Sequence, residues 1–480
     1  MNTRIIIRIL GLLLLLESIF MASSGGVAFL YNEVAMPLLI SAFIALSTGL
    51  LAWFFTRNAP KGLGKREGYI IVTSAWILFS LFGTLPFVIS KAIPSFTDAF
   101  FETISGFTTT GASILDNIEA MPHGLLFWRS ITQWLGGMGI IVMSLAILPL
   151  LGIGGMQLFV AEVPGLKPDK LHPRVKETAK RLWAIYILFT LTEATLLKLG
   201  GMNVFDAICH SFTTLATGGY STKQASIAHW DSPFIHYVII IFMIIAGTNF
   251  SLSYFGLKFR FREVFRNEEF RFYWKFLIGF TGIIFIGLYL SEGAVFEKSF
   301  RDALFQVSSI MTTTGFVTVD YSIWKTFLML LIFLLMFFGG SAGSTGGSIK
   351  IVRIVLLIKN SYLELKRLIH PNAVIPVRLN KQPVSPEIIA NVLAFIVFYL
   401  MIFVIGVIVM SSLGLDLDTA MGSVAATLGN IGPGIGDVGP VDNFAAIPDA
   451  GKWILSFLML VGRLELFTVI ILFSPAFWRK

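Results

Sequence analysis

Apolar stretches of about 20 residues, long enough to cross a hydrocarbon core, follow one another along the whole chain. Two kinds of polar interruption separate them: short connections rich in Lys and Arg, and breaks rich in Gly and Thr. The pattern predicts two full helices first, at about 5–29 and 34–56. Four longer units follow, each a crossing helix, a short helix that does not cross, and a second crossing helix. Their expected limits are about 61–165, 166–270, 271–375 and 376–480, behind a hairpin of about 1–60. Each unit crosses an even number of times, so all four share one orientation and can surround an axis, unlike inverted repeats. The expected fold is therefore an all-α polytopic membrane protein with four parallel helix–pore loop–helix repeats around a pseudo-fourfold pore.

Composition agrees. Hydrophobic residues make up 55% of the 480 and charged residues 13%, at a mean hydropathy of +0.80. A water-facing surface on a soluble chain of this length needs more charge. The net charge of +8 does not indicate nucleic acid, because the basic residues sit in connections between spans. They occur at Arg4 and Arg8, Arg57–Arg66, Lys167–Arg181, Lys258–Lys275, Lys350–Lys381 and Arg479–Lys480. The positive-inside rule makes these cytoplasmic, both termini included, with anionic lipid as their neighbour. The first span begins with two arginines but is followed by no small-residue cleavage site, so it is expected to be a retained anchor. The single cysteine, Cys209, excludes an intrachain disulfide and a zinc pattern. No nucleophile–base or metal-ligand spacing stands out, and no catalytic site or organic cofactor is expected.

The Gly/Thr breaks repeat. Their ends read Thr108-Thr109-Thr110-Gly111, Ala216-Thr217-Gly218-Gly219, Thr312-Thr313-Thr314-Gly315 and Gly429-Asn430-Ile431-Gly432. An aspartate precedes the last glycine by 13 residues in the first three (Asp98, Asp206, Asp302) and by 14 in the fourth (Asp418). That interval holds about three helical turns and an extended tail. The aspartate suits an N-cap or first-turn position. The far end of such a half-helix presents free carbonyls, which favour a cation, and glycine allows the angles that aim successive carbonyls at one axis. The carbonyls of Thr109, Thr110, Thr217, Gly218, Thr313, Thr314, Asn430 and Ile431 are the expected ion ligands. The competing reading is close helix packing by small residues, which does not explain the common spacing. The fourth copy departs most, with Asn and Ile for threonines, so the ring is expected to be unequal there.

Two further features lie inside the expected membrane. Gly339–Ser348 interrupts a helix with five glycines in ten residues, including Gly339, Gly340, Gly343, Ser344, Thr345, Gly346 and Gly347. It begins roughly 22 Å into its helix, beyond the filter, and is expected to obstruct the pore as a mobile gate. A phosphate loop is excluded because no Gly-Lys-[Ser/Thr] closes it. Arg463 lies about 16 Å into the last helix and is expected to act as an electrostatic barrier beneath the filter. Its alternative is an ion pair with a carboxylate on another helix, Glu465 being badly placed along the same one. Glu102 and His210, each four residues after an aspartate, are expected to hold pore helices to their neighbours.

Together, Phe101–Ser113, Trp134–Gly139, His210–Thr214 with Thr217–Gly219, Gly339–Ser348, Asn430–Gly434 and Gly462–Glu465 resemble the Trk/Ktr/HKT superfamily of potassium-translocating subunits. The bacterial Trk branch is the nearer match. The resemblance implies K+ as the transported ion, an inner-membrane location, a homodimer, and a cytoplasmic nucleotide-binding regulatory ring as partner. A cation-coupled solute symporter with its substrate at the broken third helix is the alternative; a membrane-embedded enzyme would need paired acid–base or metal residues at depth.

Overall fold

A computed structural model describes residues 1–58, 64–142, 171–292 and 295–479. The expected boundary at 165, the start of the basic stretch (Lys167 and Lys170), part of the Arg57–Arg66 connection and Lys480 lie outside the described residues.

The described chain is helical apart from one two-residue hairpin, Arg378–Leu379 with Gln382–Pro383. Thr3–Leu30 and Met36–Thr56 form the N-terminal hairpin, which packs on the first repeat through Lys65–Gly83 and His123–Val142. The remaining repeats open with Leu171–Leu199, Glu268–Glu292 and Pro386–Ser412. Six described helices are long and apolar enough to span a membrane.

The second helix of a repeat departs from expectation. A straight span is predicted in the second and fourth repeats, and both are broken. Pro233–Ala246 turns by 112° into Phe250–Leu257, and Asp449–Arg463 turns by 111° into Phe467–Phe473. At the first break, Asn249 starts the new helix by accepting from Ser251 N at 2.8 Å. At the second, Glu465 and Leu466 both take left-handed backbone angles, φ +57° and +50°. In the third repeat Thr326–Leu335 ends after ten residues, and the chain resumes helix only at Ile351–Ile369. Three repeats thus break at one level, and the polar backbone freed there is tolerable only inside protein or beside a cavity.

Candidate ion pathway

The short helices of the four breaks are Phe96–Phe107, Val204–Leu215, Phe296–Met311 and Leu417–Leu428. Ser95, Asn203 and Asp416 cap three of them, accepting from Asp98 N, Asp206 N and Thr419 N at 3.3, 2.7 and 3.3 Å. Asp98, Asp206 and Asp418 therefore stand in the first turn and not at the cap. The third helix starts at Phe296 and leaves Asp302 well inside it. Two of the aspartates hold neighbouring segments: Lys452 Nζ, on the helix Asp449–Arg463, reaches Asp98 at 2.5 Å, and Thr222 Oγ1 donates to Asp206 at 2.6 Å.

All four helices end the same way. Thr109 N bonds Gly106 O and Thr110 N bonds Ser105 O, at 2.9 and 2.8 Å. Equivalent pairs occur at Thr217 and Gly218, at Thr313 and Thr314, and at Asn430 and Ile431. This is the Schellman pattern, which places the residue after the cap in the left-handed region. Thr109, Thr217, Thr313 and Asn430 are there, at φ +52°, +53°, +60° and +53°. An L-residue in that region costs roughly 1–2 kcal/mol, and asparagine is among the few that visit it routinely. Asn430 is therefore no loss of the helix-ending motif, although the glycine that follows it departs from the others, with φ +105° at Gly432 against +74° to +82° at Gly111, Gly219 and Gly315.

Two residues on, Gly111, Gly219, Gly315 and Gly432 all have positive φ, between +74° and +105°. Their neighbours close a circuit. A Cβ on Gly111 would stand 2.1 Å from Gly218 O, on Gly219 2.0 Å from Thr314 O, on Gly315 1.9 Å from Ile431 O, and on Gly432 2.9 Å from Thr110 O. Each glycine abuts the carbonyl that precedes the glycine of the next segment, and the fourth returns to the first. Thr110, Gly218, Thr314 and Ile431 thus present equivalent carbonyls around one axis. The same four glycines floor an open vestibule.

The second quarter is the odd one. Gln133 Nε2 donates to Gly218 O at 2.6 Å, and its Oε1 accepts from Tyr220 N at 3.0 Å. A Cβ at residue 218 would fall 2.4 Å from the Gln133 amide carbon. Glycine replaces the Thr or Ile of the other quarters because that glutamine occupies the space.

Directly behind the ring, away from the vestibule, lies Gly339–Ser348. Thr345 Oγ1 donates to Leu215 O at 3.0 Å, capping the second pore helix. Gly347 N donates to Thr313 Oγ1 at 2.6 Å, and a Cβ at Gly347 would meet Gly429 O at 2.4 Å. Ser341 N bonds Gly247 O at 2.8 Å and Phe250 N bonds Gly343 O at 3.3 Å, so the broken second-repeat helix holds the loop's flank. Arg463 is 2% exposed and grips the loop: Nη1 donates to Thr345 O at 2.6 Å and Nη2 to Gly136 O at 3.3 Å. Among the described residues no carboxylate pairs with Arg463. Glu465 pairs instead with Arg353, at 2.5 Å, and Lys350 Nζ donates to Gly346 O.

Residues 35–480 match the family described as cation transport protein, TrkH. Over the full length of both chains, the sequence is 44% identical to the Trk system potassium uptake protein TrkH of Escherichia coli K12 and 42% to that of Halomonas elongata. It is 36% identical to the Trk system potassium uptake protein TrkG of E. coli K12, again over both whole chains. The chain belongs to the TrkH family. Its fold superposes on the crystal structure of the potassium transporter TrkH from Vibrio parahaemolyticus with a TM-score of 0.91 at 39% identity, covering all of both chains.

Within this TrkH-family fold, Glu102 and His210 lie outside the carbonyl ring. Glu102 forms a buried pair with Arg129 at 2.6 Å and accepts from Ile114 N at 2.9 Å. Arg129 continues to Ser221 O at 2.9 Å and stacks over Tyr220 at 3.5 Å. His210 bonds Asp206 O at 2.7 Å and Ser221 Oγ at 2.9 Å. The third equivalent, Gln306, reaches Thr318 Oγ1 at 3.3 Å. The fourth is Gly422, where the Ile435 backbone takes the side chain's place, 2.3 Å from a built Cβ. All four positions face the segment that leaves the carbonyl ring. Gln133 and Arg129 are absent from the sequence-based set. Their only signal is a four-residue spacing that puts both on one face of a largely apolar helix, which identifies no partner.

Proposed function

We propose that this chain is a potassium uptake subunit of the bacterial inner membrane, with a channel-like pore, basic connections and both termini in the cytoplasm. Potassium enters the vestibule, exchanges part of its water for the carbonyls of Thr109–Thr110, Thr217–Gly218, Thr313–Thr314 and Asn430–Ile431, and continues past the loop to the cytoplasm. Gly339–Ser348 is the gate and Arg463 its latch. The closed circuit of glycines and carbonyls is the observation that supports this reading, because a ring of oriented carbonyls replaces a cation's hydration shell.

One lone pair of Gly218 O is engaged by Gln133, so that quarter coordinates less strongly and discrimination against sodium is incomplete. Arg463 adds a local barrier. Two unit charges 4 Å apart repel by about 4 kcal/mol at an effective dielectric of 20 and about 1 kcal/mol in water. Displacing the loop, which removes the arginine's carbonyl partner and wets the passage, lowers that barrier. A second copy of the chain and a cytoplasmic nucleotide-binding ring complete the assembly, following the family resemblance and the name Trk system in the relatives.

The test is uptake of potassium against sodium in a strain lacking its own potassium systems, with and without the regulatory partner. Deleting Gly343–Gly347 is expected to raise the partner-independent rate. An unchanged rate refutes the gate, and sodium-driven accumulation of an organic solute without potassium flux refutes the whole reading.

A further inference from the structure

The helix Glu268–Glu292 begins with two carboxylates that face different neighbours. Glu268 turns to the hairpin Arg378–Pro383. Its N–H donates to Asn380 Oδ1 at 2.8 Å, and its Oε2 accepts from Asn380 N at 3.2 Å and from Lys359 Nζ. Lys359, on the helix that follows the Gly339–Ser348 loop, also donates to Arg378 O at 2.8 Å. Glu269 turns to the loop itself, where its Oε1 accepts from Ala342 N at 2.7 Å. An acid in a first turn complements the helix dipole, but that role needs no burial, and Glu269 is 1% exposed. A buried carboxylate is costly unless hydrogen bonds hold it. Here the bond goes to the backbone of a loop 73 residues further along the chain.

We propose that Glu269 is a positioning residue for the gate, and that this first helical turn couples the hairpin Arg378–Pro383 to the loop. The inference rests on the reading of Gly339–Ser348 as the gate. Successive residues of an α-helix rise 1.5 Å along one hydrogen-bonded backbone, so Glu268 cannot be displaced without moving Glu269. The hairpin has the stiffness of a lever. Asn380 and Lys381 take the left-handed angles of a two-residue turn, φ +49° and +68°, and Leu379 anchors it, buried at 3% exposure. Arg378, Lys381 and Gln382 are exposed, so the lever can be reached from solvent. The loop is gripped by opposite charges: Glu269 accepts from Ala342 N, whereas Arg463 and Lys350 donate to Thr345 O and Gly346 O. Charge-assisted bonds are the stronger kind, so release of one favours the displaced loop. A pull on the hairpin acts at the Ala342 end, the one Arg463 does not hold.

The experiment is potassium tracer uptake by the full-length protein in liposomes, with no other subunit present, beside hydrogen exchange over residues 340–345. Glu269→Leu should raise uptake by about tenfold, the loss of one charge-assisted bond. Glu269→Gln, whose amide oxygen still accepts from Ala342 N, should stay within about twofold of the unsubstituted rate. A glutamate with a merely structural role would lower thermal stability without raising flux, and that result overturns the proposal. Asn380→Gly removes the acceptor for Glu268 N at a turn where glycine fits the left-handed angle. It should speed exchange over 340–345 by about threefold or more, as local opening becomes easier. Unchanged exchange there overturns the coupling even if Glu269→Leu does not fold. Deletion of Gly343–Gly347 is the reference. If it raises uptake and Glu269→Leu does not, the role of Glu269 is overturned while the gate stands. If neither raises uptake, the gate reading falls and this inference with it.

Discussion

Alanine at the four ring glycines should produce a graded loss of transport whose order follows from the geometry. The backbone strain is common to all four: φ lies between +74° and +105°, and an L-residue there costs roughly 1–2 kcal/mol. The overlap differs. A Cβ on Gly315, Gly219 or Gly111 would stand 1.9, 2.0 or 2.1 Å from a neighbouring carbonyl oxygen, against 2.9 Å for Gly432. An ordinary carbon–oxygen contact needs about 3.4 Å (C–C contacts are about 3.5–4.0 Å), so the first three must push a ring carbonyl aside by more than 1 Å, and Gly432→Ala by about half that. A displaced carbonyl that raises the barrier by 2–3 kcal/mol slows passage by about 30- to 160-fold. Gly315→Ala, Gly219→Ala and Gly111→Ala should therefore lose at least about tenfold in potassium uptake and some potassium–sodium discrimination, with Gly432→Ala the mildest. Gly282→Ala, with nothing within 4 Å of the added carbon, is the control. The assay is tracer uptake normalised to protein in the membrane. Gly432→Ala as damaging as Gly315→Ala, or no loss in any of the three, would refute the argument that these contacts shape the pathway.

Three further outcomes are expected. Gln133→Leu frees Gly218 O but leaves Tyr220 N unpaired, so the ratio of potassium to sodium uptake should change while Gln133→Glu changes it in a different sense; identical ratios in both would refute a role at that quarter. Glu102→Gln or Arg129→Met alone leaves a buried charge uncompensated and should destabilise by about 3–5 kcal/mol, while the double substitution recovers much of it, as read by thermal unfolding in detergent. At the turn joining the first two helices, burial would raise the Glu33 carboxyl, but N–H bonds from Gly124 and His123 and the His123 ring outweigh it and hold it below the ordinary carboxylate range. A depressed folded-state value means stability present above the ordinary carboxylate value and lost as pH falls through the folded one, so Glu33→Gln should flatten the acid limb of the unfolding profile.

Much of the architecture was legible because it depends on repetition. The lengths of the apolar spans and the recurring Gly/Thr ends predict four like units, and backbone angles at Thr109, Thr217, Thr313 and Asn430 follow from one helix-ending motif. Asn430 shares the αL angle of the three threonines, a likeness that side-chain identity alone does not reveal. The breaks at Ala246–Phe250 and Arg463–Phe467 were not legible. Neither carries a polar run as long as Gly339–Ser348, and the signals are short, Gly247-Thr248-Asn249 and the Glu465–Leu466 pair. Gln133 escaped for a different reason: its partner, Gly218 O, is a backbone atom 85 residues away, and no side-chain pattern marks it.

The ring has a consequence for how the protein is made. Its last contact joins Asn430 Nδ2 to Thr110 Oγ1 at 2.9 Å, across 320 residues of chain. Until the fourth repeat has been inserted, Thr110 lacks that partner and the circuit is open between the first and third quarters. A chain emerging from the ribosome at about 5–20 residues per second therefore holds an unfinished ring for roughly 16–64 s. Strained threonines and unclosed carbonyls make that intermediate less stable than the finished molecule, so truncated or stalled chains should be the natural substrates of membrane proteolysis. A ring built from one chain needs no assembly of subunits, but its completeness is settled only when the fourth segment arrives.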